Sequence, residues 1–158
     1  MRKSYIANTA EALNLHNGNQ TAIVAKMNRQ PNKVMWNTVK THPKTDWCDE
    51  HGNPLFPPYQ IGQEVYVREA WCPCDTEDGN LGYAYKDDEY ADKFVGWGSP
   101  VTMPKQASRT RFKIVGCEAV RVKDLGAFGY YIAQKLGNQA WDNNDYIWFY
   151  RIQNIKQS

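Results

Sequence analysis

In the run EVYVREAW, residues 64–71, Glu69 keeps step with Val65 and Val67, while Tyr66, Arg68 and Ala70 alternate with them. A strand here sets a carboxylate on the apolar face. An isolated charge is too costly to bury. Glu69 therefore either faces a cleft, as a general base or an acceptor for a base edge, or is consumed in an ion pair. Counter-charges follow in SPVTMPKQASRTRFK, where Arg109, Arg111 and Lys113 alternate with Ser108, Thr110 and Phe112. Cations at strand spacing suit successive phosphates of a bound chain. Arg121 and Lys123 extend the ladder if a neighbouring strand pairs with it in antiparallel register. A solvated outer sheet face has the same alternation, so Arg109 has two candidate partners, Glu69 and a phosphate. Trp71, Tyr83, Tyr85, Trp97 and Trp148 stand near predicted strand ends, where stacking on a base contributes about 1–3 kcal/mol per base.

Two further groups could do chemistry. Cys48 with His51, and Cys72 with Cys74, are soft ligands in pairs that would complete a four-coordinate zinc site if brought together. The CxC spacing differs from the usual CxxC knuckle, and ordinary reduced thiols are the stronger of the two readings. No metal or other cofactor is expected. His16, His42 and His51 are scattered, and the sequence holds no Gly-rich phosphate loop, GxSxG or HExxH.

The elements that must position these residues are legible in part. The 158 residues suit one domain, and six Trp and ten Tyr favour a β-rich α+β fold over a helical bundle. A net charge of +2 excludes the diffuse attraction of a tail-type nucleic-acid binder. Any such affinity must come from a local site. No apolar run reaches membrane-span length and the basic start lacks a signal-peptide core, so a cytoplasmic protein without a membrane partner is expected. Asn8 with Glu11 predicts a capped first helix closed by Asn17-Gly18. Residues 28–58 read as a long loop with a short strand near Val34–Val39. Strands are predicted over 61–71, Leu81–Lys86, Arg109–Val115, Ala119–Lys123 and Tyr146–Ile152, with a break near Gly116-Cys117. Leu125, Phe128, Ile132 and Leu136 recur at helical spacing.

The order of PPYQIGQEVYVREAW, SPVTMPKQASRTRFKIVGCEAVRVKDL and YIWFYRI resembles phage and prophage proteins of the ASCH type, in the PUA-like superfamily. The resemblance covers roughly residues 57–152 and is most specific in VREAW and MPKQASR. It implies one domain over 1–158: a PUA-like mixed or antiparallel β-barrel with two or three short flanking helices. It also implies a phage-encoded protein working in the bacterial host and a cleft for RNA, single-stranded nucleic acid or a modified nucleotide. Arg68, Glu69, Trp71, Trp97, Met103, Lys105, Ser108, Arg109, Arg111 and Gln20 are the expected ligand-binding residues. Relatives that hydrolyse N4-acetylcytidine carry GxKTxTxR after the first helix. Here GNQTAIVAK keeps Gly18 and Thr21 but has Gln20, Ile23 and Ala25 where the lysine, second threonine and arginine would stand. The motif loop departs too, with Thr102 for a histidine and Gln106 for a tryptophan. Binding without catalysis is the first expectation. An amidohydrolase using Glu69 and Thr21 is the second. A phage accessory or anti-defence protein that contacts a host protein through residues 28–58 is the third.

Overall fold

The computed structural model describes residues 3–31, 47–75, 78–86 and 96–155. Its elements run β1 (Ser4–Ile6), α1 (Thr9–His16), β2 (Ala22–Lys26), β3 (Glu64–Arg68), β4 (Trp71–Asp75), β5 (Leu81–Tyr85), β6 (Arg111–Arg121), α2 (Gly126–Leu136), α3 (Asn138–Asp142) and β7 (Tyr146–Ile155). Short 3-10 segments cover Pro100–Thr102, Lys105–Ala107 and Val122–Leu125. Five strands are hydrogen-bonded in the order β1-β3-β6-β7-β2, with β1 parallel to β3 and the β3–β6 and β2–β7 pairs antiparallel. β4 and β5 form a separate antiparallel hairpin. The fold is thus α+β, with a mixed sheet and a few short helices. The chain divides into two compact units, one of residues 1–21, 62–114 and 152–158, the other of 22–61 and 115–151.

In the first unit, α1 begins as the cap predicts: Asn8 Oδ1 accepts the Glu11 N–H at 2.8 Å. The Glu11 side chain is buried and accepts from the Tyr5 hydroxyl at 2.8 Å and from Gln20 Nε2 at 3.0 Å. A buried carboxylate is tolerable with such donors. Val65, Val67 and Glu69 are all buried, so the alternation read for this strand holds. Phe112 and Ile114 face the same interior, and Tyr5 meets Phe112 edge-on at 6.3 Å.

The second unit is built on Val24, Val122, Ile132, Ala133 and Ile147, with Leu125, Phe128 and Leu136 packed against them. The predicted helical stripe is therefore the buried face of α2. Trp148, a stacking candidate by sequence, is core and meets Trp47 edge-on at 6.1 Å. Asp49 anchors the described part of 47–58. Its Oδ1 accepts the His51 and Asn53 N–H groups, each at 2.9 Å, and its Oδ2 accepts Arg29 Nη1 at 3.0 Å. Burial alone would raise its pKa. The Asn53 backbone and side-chain amides, the His51 amide and the Arg29 charge outweigh that and hold it below the ordinary 3.8. The strand expected near Val34–Val39, like all of 32–46 within the expected 28–58 contact surface, lies outside the described residues.

Two expectations are corrected. β6 runs unbroken through Gly116 and Cys117, where a junction between two strands was expected. Gly116 is buried, and a Cβ there would come within 2.9 Å of Arg151 Nε on β7. The glycine serves a close approach, not a turn. The cation ladder is cut short: only Arg111 and Lys113 alternate along one face of β6. Arg109 precedes β6, Arg121 ends that same strand, and Lys123 lies in a 3-10 segment. Arg121 instead lies 4.5 Å from the Tyr146 ring centre and donates to the Asn144 carbonyl.

Candidate functional site

The site is assembled in the first unit, at the C-terminal end of β3. Alternation carries Glu69 inward, where it is 2% exposed, and the segment before β6 brings Arg109 alongside it at 15% exposure. Arg109 Nη2 donates to Glu69 Oε1 at 2.9 Å and Nε to Oε2 at 3.2 Å, a two-point grip on both carboxylate oxygens. The guanidinium also stacks on Tyr85, 4.3 Å from the ring centre. Tyr85 in turn donates its hydroxyl to the Ala107 carbonyl at 2.6 Å. Of the two partners the sequence left open for Arg109, the carboxylate is the one it holds.

Tyr85 belongs to a hairpin face. The β4–β5 register sets Trp71 opposite Tyr85 and Pro73 opposite Tyr83, so these four side chains share one face. Pro73 is exposed and the three aromatics are half-buried. Trp71 and Tyr83 have ring centres 6.1 Å apart, tilted by 55°. Trp71 Nε1 donates to the Ser99 carbonyl at 3.1 Å, and its backbone bridges to Gly98. The loop that follows is tied from the other side, where Arg68 Nη1 donates to the Val101 carbonyl at 3.1 Å. The result is a partly exposed aromatic and proline platform with an arginine stack at one end and a pinned loop beside it.

The opposite face of β3 has a different character. Tyr66 pairs with Arg111 across β6 and precedes Arg68 by two residues, so all three point the same way. Arg68 Nη2 donates to the Tyr66 hydroxyl at 3.0 Å. That hydrogen bond, against a smaller opposing effect of burial, lowers the Tyr66 pKa below 10.0, helped by the Arg68 charge, a Ser4 hydrogen bond and the Lys105 charge. Among the described residues no carboxylate forms a salt bridge with Arg68, Lys105 or Arg111.

The remaining expected site residues fall elsewhere or serve the scaffold. Met103 is 1% exposed and packs as core, while Lys105 is exposed. Ser108 is buried and donates to the Val67 carbonyl at 2.7 Å, which fixes the approach of Arg109. Gln20 is committed to Glu11. Thr21 is exposed and its carbonyl accepts the Ile152 N–H, whereas Glu69 is buried. Trp97 is half-buried beside Gly98. Among the described residues no group of three or more His, Cys, Asp or Glu side chains could hold a metal. Cys48 is fully buried at a bridge to Pro54, His51 is exposed beside Glu50, and Cys72 and Cys74 lie along β4. Cys117 is a packing thiol: burial, reinforced by the Glu118 charge, pushes it up to about 12.

Residues that sequence reasoning missed are Glu11 and the anion-favouring surroundings of Tyr66. Glu11 had a signal, since it stands four residues before the apolar Leu15 and so on the buried stripe of α1. In the second unit, a cavity of about 480 Å³ is lined by Arg29, Gln30, Pro31, Asp49, Glu50 and His51. Its polar groups already face one another, Arg29 paired with Asp49 and His51 Nε2 lying 3.3 Å from Glu50 Oε1. A scan against protein-family models finds no match for the sequence, and searches of curated proteins and of solved structures find none either.

Proposed function

We propose that this chain binds single-stranded nucleic acid, RNA in the first instance, without catalysis, as a phage-derived PUA-like module of the ASCH type. The observation that carries this reading is the partly exposed platform of Trp71, Pro73, Tyr83 and Tyr85, with Arg68, Lys105 and Arg111, which no described carboxylate neutralises, on the opposite face of β3. Bases of any sequence can stack on such a surface, and cations that track the backbone supply the rest of the affinity. The mixed sheet with an added hairpin is compatible with a PUA-like barrel. Binding without catalysis is supported at Glu69: a general base must reach the proton it abstracts, whereas this carboxylate is 2% exposed and gripped by Arg109 at both oxygens. Gln20 and Ile23, at the positions of the family's lysine and second threonine, point the same way.

Stacking is tested with a fluorescein-labelled oligouridylate and the Tyr83→Ala variant. Tyr83 is half-buried and its ring packs on Trp71, so its loss should leave the fold intact. One stacked base is worth about 1–3 kcal/mol, so anisotropy should show affinity weakened by roughly 5- to 150-fold. Unchanged affinity would remove the platform from the binding surface. The same preparation should release no cytidine from N4-acetylcytidine, and turnover above a Glu69→Gln control would restore the hydrolase.

A further inference from the structure

The only buried side-chain nitrogens or oxygens without a hydrogen-bond partner, among the described residues, are Arg68 Nε and Arg111 Nε. Unsatisfied buried donors are rare in folded proteins, and each calls for an explanation such as a bound ion. Here the two lie on one face of the sheet, around one tyrosine. Arg111 stands directly across from Tyr66, and Arg68 lies two residues along β3 with its guanidinium 5.6 Å from the Tyr66 ring centre. Arg111 donates no side-chain hydrogen bond to any described residue. Arg68 spends Nη1 on the Val101 carbonyl and Nη2 on the Tyr66 hydroxyl, Arg111 stands across from that tyrosine on the same face, and no described carboxylate pairs with either, so the face offers two unneutralised guanidinium charges to the oxygens of a phosphate.

We infer that the outer face of β3 and β6 seats a phosphate group between Arg68 and Arg111, over Tyr66, with Lys105 at its rim. This surface lies on the other side of β3 from Glu69, so the phosphate does not depend on the Arg109 pair. The charged and titratable groups facing Tyr66 are Arg68 from its own strand, Arg111 from β6 and Lys105 from the 3-10 segment. Glu64 and Lys113, opposite each other, form the next pair along. Arg68 and Lys105 lower the Tyr66 pKa, and an anion that neutralises them raises it again. The seat is a property of the face itself; that its natural occupant is a backbone phosphate rests on the nucleic-acid reading.

Protein labelled with ¹³C in its tyrosine rings, with Tyr66→Phe to assign the resonance, follows the Tyr66 titration in chloride and in inorganic phosphate at matched ionic strength. Phosphate should move the titration to higher pH in the wild type and leave it unmoved in Arg68→Ala/Arg111→Ala. Identical curves in the two wild-type buffers would overturn the proposal, and this comparison needs no variant to fold. A second arm measures oligouridylate binding by Arg111→Ala across a salt series. Loss of one contact should reduce the slope of log affinity against log salt by about 0.7. If phosphate shifts Tyr66 but the oligonucleotide does not bind the wild type, the seat stands as one for free phosphate or a phosphorylated small molecule, and the nucleic-acid reading fails alone.

Discussion

Replacing Glu69 by alanine should destabilise the protein by about 3–5 kcal/mol, read as a fall in the urea midpoint, because the change strands the Arg109 guanidinium in a largely buried place. An exposed pair would be worth only about 0–1 kcal/mol, and the 2% and 15% exposures of its members place this one in the other class. Arg109→Met should destabilise comparably by stranding the carboxylate. Glu69→Leu/Arg109→Met should be more stable than either single variant, since an apolar replacement leaves no unpaired charge. Additive losses would mean that the two residues act separately, and Glu69 would again be available as a base. The distinction bears on function, because a carboxylate spent on holding a strand end together is not one that waits for substrate.

The second large effect belongs to Gly129 in α2. Alanine normally improves a helix interior by about 1 kcal/mol over glycine. At Gly129, however, an added Cβ would overlap the Val122 carbonyl oxygen and sit 3.2 Å from Leu125 Cβ. A backbone oxygen has no rotamer to yield, so α2 must lift from the 3-10 segment Val122–Leu125. Its packing on Val122, which is fully buried, and that of its own Ile132 and Ala133 on Val24 and Ile147 would then loosen. Gly129→Ala should therefore destabilise by about 1–3 kcal/mol or more, the sign opposite to helix propensity. A raised urea midpoint would show that α2 is not seated this closely. Because Gly129 and the cluster belong to the second unit, oligonucleotide affinity measured under native conditions should change little.

What the sequence made legible follows from where one periodicity ruled. Period-two alternation placed Val65, Val67 and Glu69 on one face, and the 3.6-residue stripe placed Phe128, Ile132 and Leu136 on α2, with Leu125 just before it. Asn8 marked the start of α1 for a local reason, a side chain satisfying an amide three residues on. The misses share a cause, since glycine and proline report local freedom and leave the neighbouring strand out of account. Gly116 looked like a break because it lacks a side chain, yet the space it leaves is taken by Arg151. Pro73 hid β4, although a two-stranded hairpin tolerates a missing N–H. The buried alternation in β6 also changes phase, from Phe112, Ile114 and Gly116 to Ala119, so evenly spaced cations could not stay on one face. The Glu69 and Arg109 partnership was visible as one of two choices, and only the fold chooses. The Tyr66 surroundings depend on pairing with β6 and on the 3-10 segment that carries Lys105, neither of which has a signature in the residues nearby.

Binding of a single-stranded oligouridylate by the wild-type protein, followed by anisotropy across a salt series, tests the central claim most directly. With a net charge of +2 there is little diffuse attraction to report, so any steep salt dependence must come from local contacts. The one phosphate seated between Arg68 and Arg111, with Lys105 at its rim, predicts a slope of log affinity against log salt of about −0.7 for a single strand. No binding at low salt, or an affinity indifferent to salt, would contradict the account.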